Sequence, residues 1–218
     1  MRRHSYIAFV LLAFAAFSQT GTQSGPRRHQ TVWEPPAWNF PQNAKASVPK
    51  EMLAKLLVSA YNITLEETSM EDAAKRFGGT IGSKGDAGDF LEWLCLHGTD
   101  AADDWVLWLE SGEIDGGYVG SFQWQRIQSG TVLDARCAAL PNAAHVLELP
   151  VAVHLGSTEA DVVKALGPPT LRSSERLVYL HEHDESIRGE PYNSSNIVIV
   201  RVRNGTVWAI AVSKTTSS

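Results

Sequence analysis

Alternating apolar and polar positions recur in two blocks of the chain, and each block stands behind the same short helical pattern. The first block holds FLEWLCLH, DDWVLWLES and YVGSFQWQRI; the second holds RLVYLHEH, NIVIVRVR and TVWAIAVSK. Period-two alternation between turn residues such as Ser111-Gly112, Gly116-Gly117 and Asn204-Gly205 predicts a three-stranded antiparallel meander in each block, the Asn-Gly pair closing a tight hairpin. Val198, Val200 and Val202 then face a core, while Arg201 and Arg203 face water.

The helical pattern ahead of each block is SMEDAAKRFG at 69–78 and TEADVVKALG at 158–167. Ser69 and Thr158 are placed to cap a helix, with Asp72 and Asp161 reaching back in a capping box, and Gly78 and Gly167 to end it in the left-handed conformation. Helices of about two turns are marginal alone, so Ala73, Ala74 and Phe77 in one copy, and Val162, Val163 and Leu166 in the other, must pack. A third amphipathic helix is predicted in PKEMLAKLLVSAYN, where Met52, Leu53, Leu56, Leu57 and Ala60 share helical spacing. The expected fold class is α+β: two tandem units at 48–130 and 151–218, each a short helix or helix pair on a small antiparallel meander, joined by a linker at 131–150.

Ahead of the first unit, MRRH followed by SYIAFVLLAFAAF and small residues reads as a signal peptide over 1–18, too short to span a bilayer. Residues 19–47, rich in Pro, Gly and polar residues, form a lead-in whose Trp33, Trp38 and Phe40 either pack along the folded body or make a short binding element. Export to a periplasmic or extracellular compartment permits a disulfide between Cys95 and Cys137, the only cysteines. With 44% hydrophobic residues, 24 acidic against 19 basic residues and no long basic run, the chain can bury a proper core and offers no stripe for nucleic acid.

The stretch VHLGSTEADVVKALGPPT, with the tyrosine-bearing strand from Leu177 to His183 and a terminal hairpin ending NGTVWAIAV, resembles the SmpA/OmlA or BamE-like domain and the related repeats of beta-lactamase inhibitory protein. The resemblance covers about 150–214; the stretch 62–127 matches more loosely, with an extra residue before its helix. It implies a non-enzymatic protein of the cell envelope that binds another protein through its sheets or loops. Two units without a lipid-anchoring cysteine match the tandem inhibitor layout, where a concave sheet presents aromatics to an enzyme.

Among candidate chemical groups, His181 and His183 lie two apart on a strand and could share a metal ion, but no further ligand is fixed by spacing. GSKGDAGD at 82–89 lacks both the P-loop ending and the EF-hand order, and reads as a flexible loop between helix and strand; Ser121 has no nucleophile-elbow context. No cofactor and no enzymatic activity are expected. Trp93, Trp105, Trp108 and Trp124 fall on strands of the first block, Tyr179 and Trp208 on strands of the second. Alternation puts Trp105 and Trp108 on opposite faces, and one sheet face carrying Trp108 and Trp124 is the expected binding surface. The expected function is an exported protein-binding or envelope-associated module whose partner is another envelope or secreted protein. The alternatives are an inhibitor of an exported beta-lactamase or protease, and a small metal-dependent enzyme.

Overall fold

The computed structural model of the protein describes residues 31–38, 52–99, 104–128, 130–140 and 147–217. The signal segment and Phe40 lie outside them. In chain order the strands are β1 Thr31–Val32, β2 Lys55–Val58, β3 Tyr61–Thr64, β4 Ile81–Lys84, β5 Leu91–Thr99, β6 Asp104–Gly112 and β7 Ser121–Arg126. They continue as β8 Val132–Leu133, β9 Ala138–Ala139, β10 Leu147–Glu148, β11 Leu171–Arg172, β12 Arg176–Ile187, β13 Glu190–Arg203 and β14 Thr206–Ser217. The α-helices are α1 Met70–Phe77 and α2 Glu159–Leu166.

All six strands expected from alternation form, but the α+β class does not hold. The two meanders join edge to edge into one nine-stranded sheet, ordered β11-β12-β13-β14-β7-β6-β5-β4 with β9 beside β5, so the chain is mainly antiparallel sheet carrying two short helices. The reason lies at the seam. β14 and β7 pair antiparallel from Ala209↔Gln125 to Ser213↔Ser121, using backbone groups that each meander would otherwise leave unpaired at its edge.

The predicted third helix is a hairpin. β2 and β3 pair from Lys55↔Thr64 to Val58↔Tyr61 around Ser59 and Ala60, both at positive φ (46° and 66°), and β10 adds to β2. Leu56 and Val58 point inward as alternate strand residues. The apolar spacing of this stretch satisfied both periods, and the sheet lid over the core uses the period-two one.

Each helix is held in the same way. Ser69 Oγ accepts from the Asp72 N–H, and Thr158 Oγ1 from the Asp161 N–H; the reciprocal carboxylate bond, Asp161 accepting from the Thr158 N–H at 3.1 Å, completes the capping box in the second copy. Gly78 and Gly167 end the helices at φ 78° and 88° with ψ −168°, an extended variant rather than the left-handed helical one, which a side chain would resist. The N–H of Met70 donates to Gly117 O and that of Val119 to Thr68 O; their counterparts run from Glu159 to Gly205 O and from Val207 to Ser157 O. Isolated bridges Ser69↔Tyr118 and Thr158↔Thr206 fix the equivalence. Five residues on from each lie Gln123 and Ala211, which pair with each other. The seam therefore runs through a local twofold axis, and each helix sits on the sheet at a related place.

The main core fills the helix-covered side. Leu94, Leu107, Phe122, Val200, Ile210 and Val212 from the sheet meet Leu56, Ile63, Met70, Val162 and Leu166 from the hairpin and helices, all fully or almost fully buried. At the polar end of this side Glu66 accepts from Lys214 Nζ at 2.6 Å and from Thr216 N at 2.6 Å. Burial pushes the Glu66 carboxyl up, but these bonds outweigh it and hold it below the ordinary range.

Candidate binding face

The side of the sheet turned away from the helices is built differently. It carries two small apolar clusters, one around Trp93, Cys95, Val106, Trp108 and Cys137, the other around Trp38, Val178, Ile199, Ala209 and Ala211. Between them, near the twofold axis, lie the buried polar side chains of Gln123 and Glu110.

A strap formed by Thr31–Trp38 crosses this face from one cluster to the other. β1 pairs in parallel with β8, seating Val32 beside Leu133. Trp33 meets Trp93 edge to face at 5.8 Å, and its carbonyl accepts from Trp108 Nε1 at 3.1 Å. Pro36 O accepts from Gln123 Nε2 at 3.0 Å, and Trp38 Nε1 donates to Gln123 Oε1. Glu34 pairs with Lys84 at 2.9 Å. Gly82 makes room: a Cβ there would lie 2.8 Å from the Trp33 ring and closer still to Trp93. So Trp33 and Trp38 of the lead-in lie along the folded body.

The expected disulfide forms. Cys95 and Cys137 are bonded with Cα atoms 4.5 Å apart, and Cys137 lies beside β9, which pairs with β5. The linker at 131–150 is thus stitched to the sheet over its described part, and it supplies the ledge on which β1 rests.

The two tryptophans expected to share a binding surface do not share a face. Trp108 pairs with Gln123, and Trp124 with Leu107. Trp108 is 0% exposed beneath the strap, and Trp124 is 3% exposed in the helix-side core beside Trp105. Alternation correctly separated Trp105 from Trp108; it could not supply the register between β6 and β7, which the turn between Gly112 and Gly120 sets. His181 and His183 sit together on β12, ring centroids 5.2 Å apart, on the helix-covered side. Among the described residues no group of three His, Cys, Asp or Glu could hold a metal ion. The first three residues of the predicted loop GSKGDAGD, Gly82 to Lys84, belong to strand β4; the rest turns back on itself, the Asp86 N–H donating to Asp89 Oδ1.

Among the described residues of the sheet itself, the aromatic that is only half-buried on this face is Trp208. The register of β13 and β14 shifts between Arg201↔Ala209 and Val202↔Val207, leaving Trp208 unpaired as a β-bulge. Val207 points into the helix-side core, whereas Trp208 and Ala209 both point the other way. A bulge is a standard way to turn a side chain out of the alternation. Arg203 lies over the Trp208 ring at 4.6 Å, and Arg201 lies between Trp38 at 4.2 Å and Trp208 at 5.7 Å. Arg176, opposite Arg201 on β12, completes a row of arginines. Burial lowers the Arg201 guanidinium, the neighbouring Arg176 charge lowers it further, and Glu175 partly offsets both.

Two cavities flank Trp208. One, of about 540 Å³, is lined by Arg176, Arg201, Arg203, Glu175, Ser173 and Ser174. The other, of about 600 Å³, runs beneath the strap between Trp33, Trp108 and Arg136, whose guanidinium lies 4.2 Å over the Trp33 ring. The sequence placed Arg201 and Arg203 toward water and Trp208 on a strand of the second block, outside the expected binding surface of Trp108 and Trp124. The available signal was two alternate arginines across a hairpin from a tryptophan.

No helix among the described residues is long and apolar enough to cross a membrane. No protein-family model, curated protein or solved structure matches this chain.

Proposed function

We propose that the protein is an exported binding module, acting without catalysis, that engages another envelope or secreted protein through the strap-bearing face of its sheet. The observation that carries this reading is the bulge that lifts Trp208 out of the strand alternation into a bracket of arginines between two cavities. Tryptophan and arginine are the residue types that concentrate binding energy when partly desolvated at the centre of a contact. The remaining support is architectural: the main core is confined to the other side, so this face can be covered by a partner without repacking it. The resemblance of residues 150–214 to BamE-like domains and to inhibitor repeats agrees with such a role and rests on the sequence motif alone.

The test is capture. Mature oxidised protein and its Trp208→Ala variant are used as parallel baits for the envelope and medium fractions of the source, and any partner enriched by the first is purified and titrated against both. A partner whose binding falls about tenfold or more in the variant supports the reading. Equal binding to both baits removes this face from it, and a hydrolase as partner would make the protein an inhibitor.

A further inference from the structure

Resting on that reading, we propose that the cavity bounded by Arg176, Arg201, Arg203 and Trp208 is an anion site that takes the carboxylate side chains of an acidic segment on the partner. Three guanidiniums and one carboxylate, Glu175, stand among its lining residues, so the cavity carries a surplus of positive charge. The protein as a whole is acidic, at a formal −5. A local basic site on an acidic body attracts an acidic ligand to one place and repels it elsewhere, which orients an encounter.

Geometry narrows the ligand further. Arg201 and Arg203 lie over indole rings, and a guanidinium so placed still has an N–H edge to offer for hydrogen bonds. That edge presents paired donors at the spacing of the two oxygens of a carboxylate. Among the described residues neither arginine has a carboxylate within ion-pair distance. Arg176 and Arg201 face each other across the β12–β13 ladder, which concentrates positive charge at this end of the sheet. Ser173 and Ser174 add hydroxyls to the rim, and the bulge at Trp208 supplies the apolar wall against which the methylenes of a glutamate can lie.

The probe is a fluorescein-labelled hexaglutamate peptide, followed by anisotropy against the full-length oxidised protein at low and at physiological ionic strength. Saturable binding that weakens with salt is expected, with a loss of about tenfold in Arg203→Gln, an exposed position where folding is not at stake. Arg188→Gln, which removes the same charge from the exposed β12–β13 turn, should leave binding unchanged. Arg201→Gln should match or exceed the Arg203→Gln loss, with its fold checked by circular dichroism. Absence of saturable binding at low salt overturns the proposal. So does equal weakening by Arg188→Gln and Arg203→Gln, which marks diffuse charge attraction, or full retention in both Arg201→Gln and Arg203→Gln. A captured partner that still binds Arg201→Gln/Arg203→Gln at full strength would sink the anion site while leaving the binding face standing. Failure of capture with intact peptide binding would do the reverse.

Discussion

The two sides of the large sheet use similar residues for different ends. On the helix-covered side, residues from both halves form one continuous apolar cluster reaching from Leu53 to Val212. On the other side the apolar residues fall into two clusters separated by Gln123 and Glu110, and closure comes from a short strap, a disulfide-bonded segment and stacked arginines. Burial of contiguous apolar surface is what holds a domain together, so the first side is where stability resides. The second side keeps polar groups under cover and arginines on display, both of which cost stability, as the binding role proposed for this face requires.

The sharpest way to break this contrast is to cut into each side in turn. Leu107→Ala, in the continuous cluster, should cost roughly 2–5 kcal/mol, enough to remove much of the stability of an ordinary domain, and is read by chemical denaturation. Cys95→Ser/Cys137→Ser should cost up to about 4 kcal/mol on the chain-entropy model for a separation of 42 residues, and less in practice. Its signature is positional: hydrogen exchange should accelerate in β1, β8 and β9 before it does in β13 or β14. Uniform acceleration would show that the two sides are energetically one.

The third test uses pH. Glu110 is buried beneath the strap; burial pushes its carboxyl up to about 8, a hydrogen bond from Gln123 and the charge of Lys84 pull it back, and Asp115 pushes it further up. A raised carboxyl holds its proton in the folded state while the unfolded chain releases it near the ordinary value. Its favourable state is fully present below about 4.5 and is lost as pH rises toward 8. The contribution of Glu110 to stability should therefore fall from pH 5 to pH 8, and Glu110→Gln should remove that fall relative to the parent and gain on the order of 2 kcal/mol at pH 8, measured by urea denaturation at both values. An unchanged slope would place the titrating group elsewhere. The smallest expected effect is that of Trp38→Ala. The strap can lift locally without unfolding the sheet, so the global midpoint should hardly move while proteolysis near Trp33 to Trp38 quickens.

How much of this was legible follows from which interactions leave local marks. Strand alternation is local, and β5, β6, β7, β12, β13 and β14 were readable; so were the caps at Ser69 and Thr158 and, from two cysteines in a chain read as exported, the Cys95–Cys137 bond. The fusion of the meanders was not, because the seam is made by backbone groups and Gln123 and Ala211 carry no sign of pairing. The hairpin at β2 and β3 was hidden by leucines that suit either period. The site depends on one skipped rung: simple alternation of Val207, Trp208 and Ala209 places Ala209 with Val207, and the bulge places it with Trp208.

The seam has one more consequence. Equivalent strands that pair antiparallel about a local twofold make an isologous contact, the kind that two identical subunits form. A chain carrying either half alone would present that strand as an open edge, which a second copy of itself could satisfy. In its symmetry the repeat is a homodimer written into a single polypeptide.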